Sequence, residues 1–192
     1  MKKTSLVTLT LALSVLFSFI FAFHAAAQKY DYVSPMKPAI TGRSPGVKVK
    51  LISDNGSTST YAIIFAAGDE IISGLKEFAD KYQVKSAHFT AIGDASSAKF
   101  GWYDKSRKMF KVNEIKGFAE ITSLIGDIAL NNNNPVVHAH INLATEDGLV
   151  HGGHLLEAFV APTLEVIMTV EPVPLHKKPN EEFGIFIIDP SL

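Results

Sequence analysis

The chain has no cysteine at all among its 192 residues, which rules out disulfides and thiolate metal ligands together. Any stability in an oxidising compartment must then come from the core, and any transition-metal site must be built from imidazole and carboxylate. The chain also lacks a large charge of either sign: 18 Lys and Arg stand against 19 Asp and Glu. It shows no nucleophile elbow with a Ser-His-Asp order, no phosphate-binding glycine loop and no helix-borne metal motif. Gly93-Asp94-Ala95 is too short to cradle a phosphate.

One long apolar run is present, at the N-terminus. Lys2 and Lys3 precede an apolar stretch from Leu6 to Phe23, and Ala25-Ala26-Ala27 supplies the small side chains that signal peptidase accepts. Residues 1–27 therefore read as a signal peptide cleaved before Gln28, leaving no stable membrane anchor and placing the mature protein in the periplasm or outside the cell. Cleavage removes two lysines and no acid, so the mature chain carries 16 cations against 19 anions, a net charge of −3. A mildly acidic domain has no electrostatic reason to seek nucleic acid. The remaining 165 residues match the size of one domain.

Residues 28–46, rich in Pro, Ser, Lys and Gly, read as a flexible lead-in, and residues 47–192 as the folded domain. Val47 to Leu51 alternates apolar and charged like a half-buried strand, and Thr60 to Ala67 is a second, β-rich run. The spacing of Ile71, Ile72, Leu75, Phe78, Ala79 and Tyr82 predicts a helix over Glu70 to Tyr82, capped by Asp69. Strands are expected at 87–92, 98–103, 114–130 (with a bend), 136–144, 149–161, 164–170 and 183–188. Asn131 to Asn134 reads as a solvated turn, and Pro172 to Glu182 as a polar connection. One helix among many strands means an α+β domain, the helix covering one face of a mostly antiparallel sheet.

The histidines gather between His138 and His154. In His138-Ala139-His140 a strand sends both rings to one side. If Glu146-Asp147-Gly148 is a three-residue hairpin loop with Gly148 in the left-handed position, His154 falls opposite His140, with Cα atoms about 4.5–5.5 Å apart. A two-residue loop would instead bring His151 to that face, roughly 13 Å from the level of His140. His154 is thus the better third ligand, and Gly152-Gly153 permits a close backbone approach beside it. Three imidazoles leave a coordination position open, as in catalytic zinc sites, and suit a divalent metal such as zinc. The alternatives are polar side chains lining a solvated sheet face or a subunit contact, and a metal-free pocket for a small-molecule ligand. Elsewhere, His88 reads as a packed or interface residue. Glu120 either pairs across an interface or accepts from a metal-bound imidazole, Glu157 and Glu165 offer acid/base groups if they face the histidines, and Trp102 and Tyr103 pack or line an interface.

From Tyr61 to Val170, about two thirds of the mature chain, the sequence resembles the plants-and-prokaryotes-conserved (PPC) domain. The likeness rests on Phe89-Thr-Ala-Ile-Gly-Asp-Ala, Gly117-Phe-Ala-Glu-Ile-Thr-Ser-Leu-Ile-Gly, His138-Ala-His-Ile, Asp147-Gly148, Gly152-Gly-His-Leu-Leu-Glu and Thr163-Leu-Glu-Val, in that order. It implies a homotrimeric α+β domain in which His138, His140 and His154 come together, while His151 stands where the motif more often has an apolar residue. In plants the domain follows DNA-binding AT-hooks. This chain has none, since Thr41-Gly42-Arg43-Ser44-Pro45 lacks the Arg-Gly-Arg core. A more distant likeness of fold is to acetolactate decarboxylase, which holds zinc with three histidines. By that analogy a metal-dependent lyase or hydrolase acting on a small oxygenated substrate stands beside two other readings, a metal-binding protein and a metal-free trimeric interaction module.

Overall fold

The computed structural model describes residues 30–37 and 42–192. The predicted signal peptide and its cleavage site lie outside the described residues. Among the described residues, no helix is long and apolar enough to cross a membrane.

Among the described residues, nine strands and one helix follow in order: β1 (Tyr32–Val33), β2 (Lys48–Asp54), β3 (Ser59–Ala66), α1 (Ile71–Lys81), β4 (Ser86–Asp104), β5 (Met109–Asn131), β6 (Asn134–Ala144), β7 (Val150–Val170), β8 (Lys177–Asn180) and β9 (Ile185–Ile188). The architecture is α+β, a mostly antiparallel sheet with one short helix. Seven strands form the main sheet along the path β1-β5-β4-β7-β3-β2, and β6 pairs with both β5 and β7. Because β4 also pairs with β5 and with β7, the pairings β4–β5–β6–β7–β4 close into a ring.

Two strands each run through two segments that the sequence separates. The segments 87–92 and 98–103 are one strand, β4, and 149–161 and 164–170 are one strand, β7. The apparent breaks at Gly93 and Pro162 are register shifts in the β4–β7 ladder between Gly93 and Ala95, so pairing resumes beyond them. The bend expected in β5 corresponds to shifts opposite Ala91–Gly93 and Ala95–Ser97. Asn132 and Asn133 both take positive φ, 49° and 63°, in a two-residue turn closed by the Asn131–Asn134 pair. Asparagine tolerates that conformation, which suits the twist of a hairpin.

The helix forms where its periodicity places it, and Ile71, Leu75, Phe78 and Ala79 of the predicted apolar face are buried, together with Gly74, while Tyr82 stays exposed. Its cap differs. Glu70, not Asp69, is the N-cap, accepting from the Ile72 and Ser73 backbone amides at 3.2 and 2.7 Å. Asp69 instead accepts from the Gly46 and Ala66 amides, tying the end of β3 to the segment before β2. Two pieces of the proline-rich lead-in therefore join the fold. Tyr32–Val33 pairs with β5, and Ser44 is buried, donating to the Glu70 carbonyl at 2.5 Å. The polar connection after Pro172 likewise contains a strand, β8, paired with β9.

The core joins α1 to one face of the sheet through Ile63, Phe65, Phe89, Leu124, Ile141, Leu143, Leu164 and Met168, all nearly inaccessible to solvent. In β6, Ala139, Ile141 and Leu143 point into this core, so the alternate residues His138 and His140 project from the opposite face.

Candidate metal centre

The β6–β7 hairpin is built as its turn chemistry predicts. The Thr145 amide donates to the Leu149 carbonyl at 3.0 Å, and Gly148 takes a φ of 77° that a side chain would strain. With that turn fixed, Ala144 pairs with Val150 and His140 with His154. His151 pairs with Leu143, three residues from His154 and on the other face of the ribbon, so it stays outside the cluster. Gly153 earns its place by proximity: a Cβ there would stand 2.5 Å from the Gly101 carbonyl oxygen of β4. That close approach brings His154 into register with Gly101.

His138, His140 and His154 each offer one ring nitrogen, and these nitrogens all lie within 4.8 Å of one another. Ring centroids are 5.1 to 5.6 Å apart. Nitrogens bonded to one zinc ion at tetrahedral angles sit about 3.4 Å apart, so ring rotations on the order of an ångström complete the set. Phe110 of β5 stacks on His154 with centroids 4.3 Å apart and planes 7° from parallel, which fixes the plane of the most buried ring.

Electrostatics favour the neutral form of two of these imidazoles, His154 and His140. Burial, then the neighbouring charges of His138, His140 and Lys177, pushes His154 down to about 3. His140 is lowered too, by partial burial of its ring and by His138, although the residue as a whole is exposed. Neutral imidazole is the form that ligates a cation, so the donor set fits a borderline divalent metal.

A residue the sequence reading missed holds the third ring. Asp127 of β5 lies opposite His138 in the β5–β6 register, and its Oδ2 is 3.2 Å from His138 Nδ1. That leaves Nε2 of His138 for an ion, the arrangement in which a carboxylate orients a ligating imidazole. Burial would raise Asp127, but the His138 hydrogen bond and the Lys177 ammonium hold it below the ordinary carboxylate range. The only signal in the sequence was an acid within the apolar run Ile125 to Leu130.

The remaining candidates disperse. Glu120 does not serve a metal-bound imidazole, because it pairs with Asp94 and Ala144, seven residues along β5 from Asp127. Glu157 forms an ion pair with Lys99 at 2.7 Å. Glu165 lines an open cleft with Asp94, Glu120 and Thr163. His88 sits across β5 from His138, with Asp127 between them, and turns to Glu171 at 3.5 Å. Trp102 is exposed, while the Tyr103 hydroxyl donates to the Phe183 carbonyl.

A family model for the Plants and Prokaryotes Conserved domain matches residues 52–171. The chain belongs to this family. The PPC fold is shared with a plant- and prokaryote-conserved protein from Pyrococcus horikoshii, 31% identical, with a TM-score of 0.65 over 71% of this chain and 97% of that one. A metal-containing protein from Archaeoglobus fulgidus is 26% identical, with a TM-score of 0.64 over 74% of this chain and 96% of that one. A protein from Ralstonia eutropha described as a candidate DNA-binding protein is 30% identical, with a TM-score of 0.64 over 67% of this chain and 90% of that one. No curated protein matches the sequence. The PPC match ends at residue 171, so β8 and β9 lie beyond it.

Proposed function

We propose that this PPC-domain protein is exported and binds a divalent metal ion, zinc, through His138, His140 and His154. The observation that carries the reading is the convergence of three imidazole nitrogens within 4.8 Å on two rigid, paired strands. The metal content of the Archaeoglobus fulgidus relative supports it. Three protein ligands leave a position for water or a small oxygenated ligand, where a bound ion supplies Lewis acidity. Asp127 is the acid that touches the cluster, and its two oxygens face His138 and Lys177. It is not a free acid/base group, which favours binding over lyase or hydrolase chemistry.

Self-association into a homotrimer belongs to the same proposal. Ile125 is opposite His140, and Ile125, Ile92, Ile167 and Ile64 are 36 to 62% exposed. Isoleucines left open on adjacent strands call for a covering surface, and a second copy of the chain supplies one. The predicted net charge of −3 after export gives no basis for binding nucleic acid.

The test is metal analysis of protein purified without a histidine tag, with sedimentation to count subunits. About one zinc per chain is expected, lost in His138→Ala and His154→Ala and kept in His151→Ala. Metal-free protein at neutral pH after zinc addition and dialysis would overturn the reading.

A further inference from the structure

The C-terminal hairpin reaches the metal centre from outside the family-matched region. The Leu130 amide at the end of β5 donates to the Leu175 carbonyl at 2.8 Å, and His176 bridges to Leu130. The Asp189 amide, just past the end of β9, donates to the His176 carbonyl at 2.8 Å and holds the same point. Lys178 pairs with Asp189 at 2.5 Å on the outside. These contacts send the next side chain, Lys177, inward. Its side chain is 4% exposed, and Nζ stands 3.0 Å from Asp127 Oδ1.

A lysine ammonium is an expensive group to bury, and burying one beside a cation site raises the cost. Its placement is intelligible through what Asp127 does with its other oxygen. One carboxylate spans two partners, Lys177 Nζ on Oδ1 and His138 Nδ1 on Oδ2. The contact at Oδ1 is an ion pair without hydrogen-bond geometry, so Lys177 restrains the carboxylate through charge while Oδ2 meets the His138 ring. Lys177 also acts on His154 through its charge.

We propose that Lys177 is a positioning residue of the metal centre. It clamps Asp127 so that Oδ2 fixes the His138 ring with Nε2 toward the ion, and residues 172–192 are thereby a working part of the site rather than an appended tail. The inference rests on the metal-binding reading above.

The experiment measures zinc affinity by competition with a chromophoric chelator for wild type, Lys177→Met, Asp127→Ala and the double variant. Removal of a group that orients a ligand costs about 10- to 100-fold in metal affinity. Each single variant is expected to lose about tenfold or more, and Lys177→Met to add no further loss in the Asp127→Ala background. Losses that multiply, or a Lys177→Met protein that binds like wild type, overturn the proposal. Ring-nitrogen NMR of the metal-free wild type gives a second readout that needs no variant. His138 is expected to hold its proton on Nδ1, and a proton on Nε2 overturns the clamp even if Lys177→Met fails to fold. If wild type takes up no zinc, the metal-binding reading fails, while the His138 tautomer in wild type and Lys177→Met still decides whether Lys177 positions the ring.

Discussion

Two polar groupings occupy the same sheet and have opposite fates. At one, His138, His140 and His154 converge, with Asp127, Phe110 and Lys177 packed around them. At the other, Asp94, Glu120 and Glu165 line an open cleft, and the exposed Glu120 side chain makes no hydrogen bond or ion pair among the described residues. Both arise from cross-strand pairs, His140 with His154 and Asp94 with Glu120. Pairing alone therefore does not make a site. The histidine group has a layer behind it that contacts two of its rings, Phe110 stacked on His154 and Asp127 beside His138 Nδ1, and the acidic group has solvent in place of that layer.

The sharpest way to break this contrast is to exchange the consequences of mutation. His154→Ala is expected to weaken zinc binding by at least about 100-fold, while Glu120→Gln leaves it unchanged, measured by chelator competition. A cleft variant that released zinc would erase the distinction. Next in size is the pH response of the metal-free protein. His154 sits near 3 when folded against an ordinary 6.5, so protons favour the unfolded chain. Stability is then full above about pH 6.5 and falls as pH drops toward 3, by on the order of 2–4 kcal/mol at about 1.4 kcal/mol per pKa unit. Urea titrations from pH 7 to pH 4 check this, and His154→Phe, which keeps a ring against Phe110, should flatten the slope.

Smaller effects calibrate the other side. Lys99→Ala removes the pair with Glu157, and with Lys99 about half exposed the expected cost is about 0.5 kcal/mol in urea unfolding. Smallest is Glu120→Gln, where the unfolding midpoint of the isolated subunit should move by less than about 0.5 kcal/mol equivalent. A larger shift would mean that the cleft carboxylates are coupled to the fold.

The same contrast explains what was legible in the sequence. The fold class followed from one 3.6-periodic segment among alternating ones, and the pairing of His140 with His154 followed from the turn at Gly148. Both depend on residues close together in the chain. The layer behind the site does not. Asp127 precedes His138 by 11 residues across a turn, and Lys177 arrives from a segment whose prolines and charges mask a short strand. Glu70 displaced Asp69 as the helix cap because Asp69 was taken by amides of Gly46 and Ala66, a competition only the tertiary structure reveals. Gly93 and Pro162 looked like strand ends because bulges use the same residues as breaks.

The closed circuit of β4, β5, β6 and β7 has a consequence for time rather than affinity. Backbone amides of His140 and His154 lie inside a ladder with no free edge at that end, so their exchange with solvent requires opening the hairpin rather than local fraying. Ring rotation about the side-chain bonds requires no such opening. Adjustment of the three rings around an ion would therefore need only side-chain motion, while the frame that carries them persists for as long as the domain stays folded.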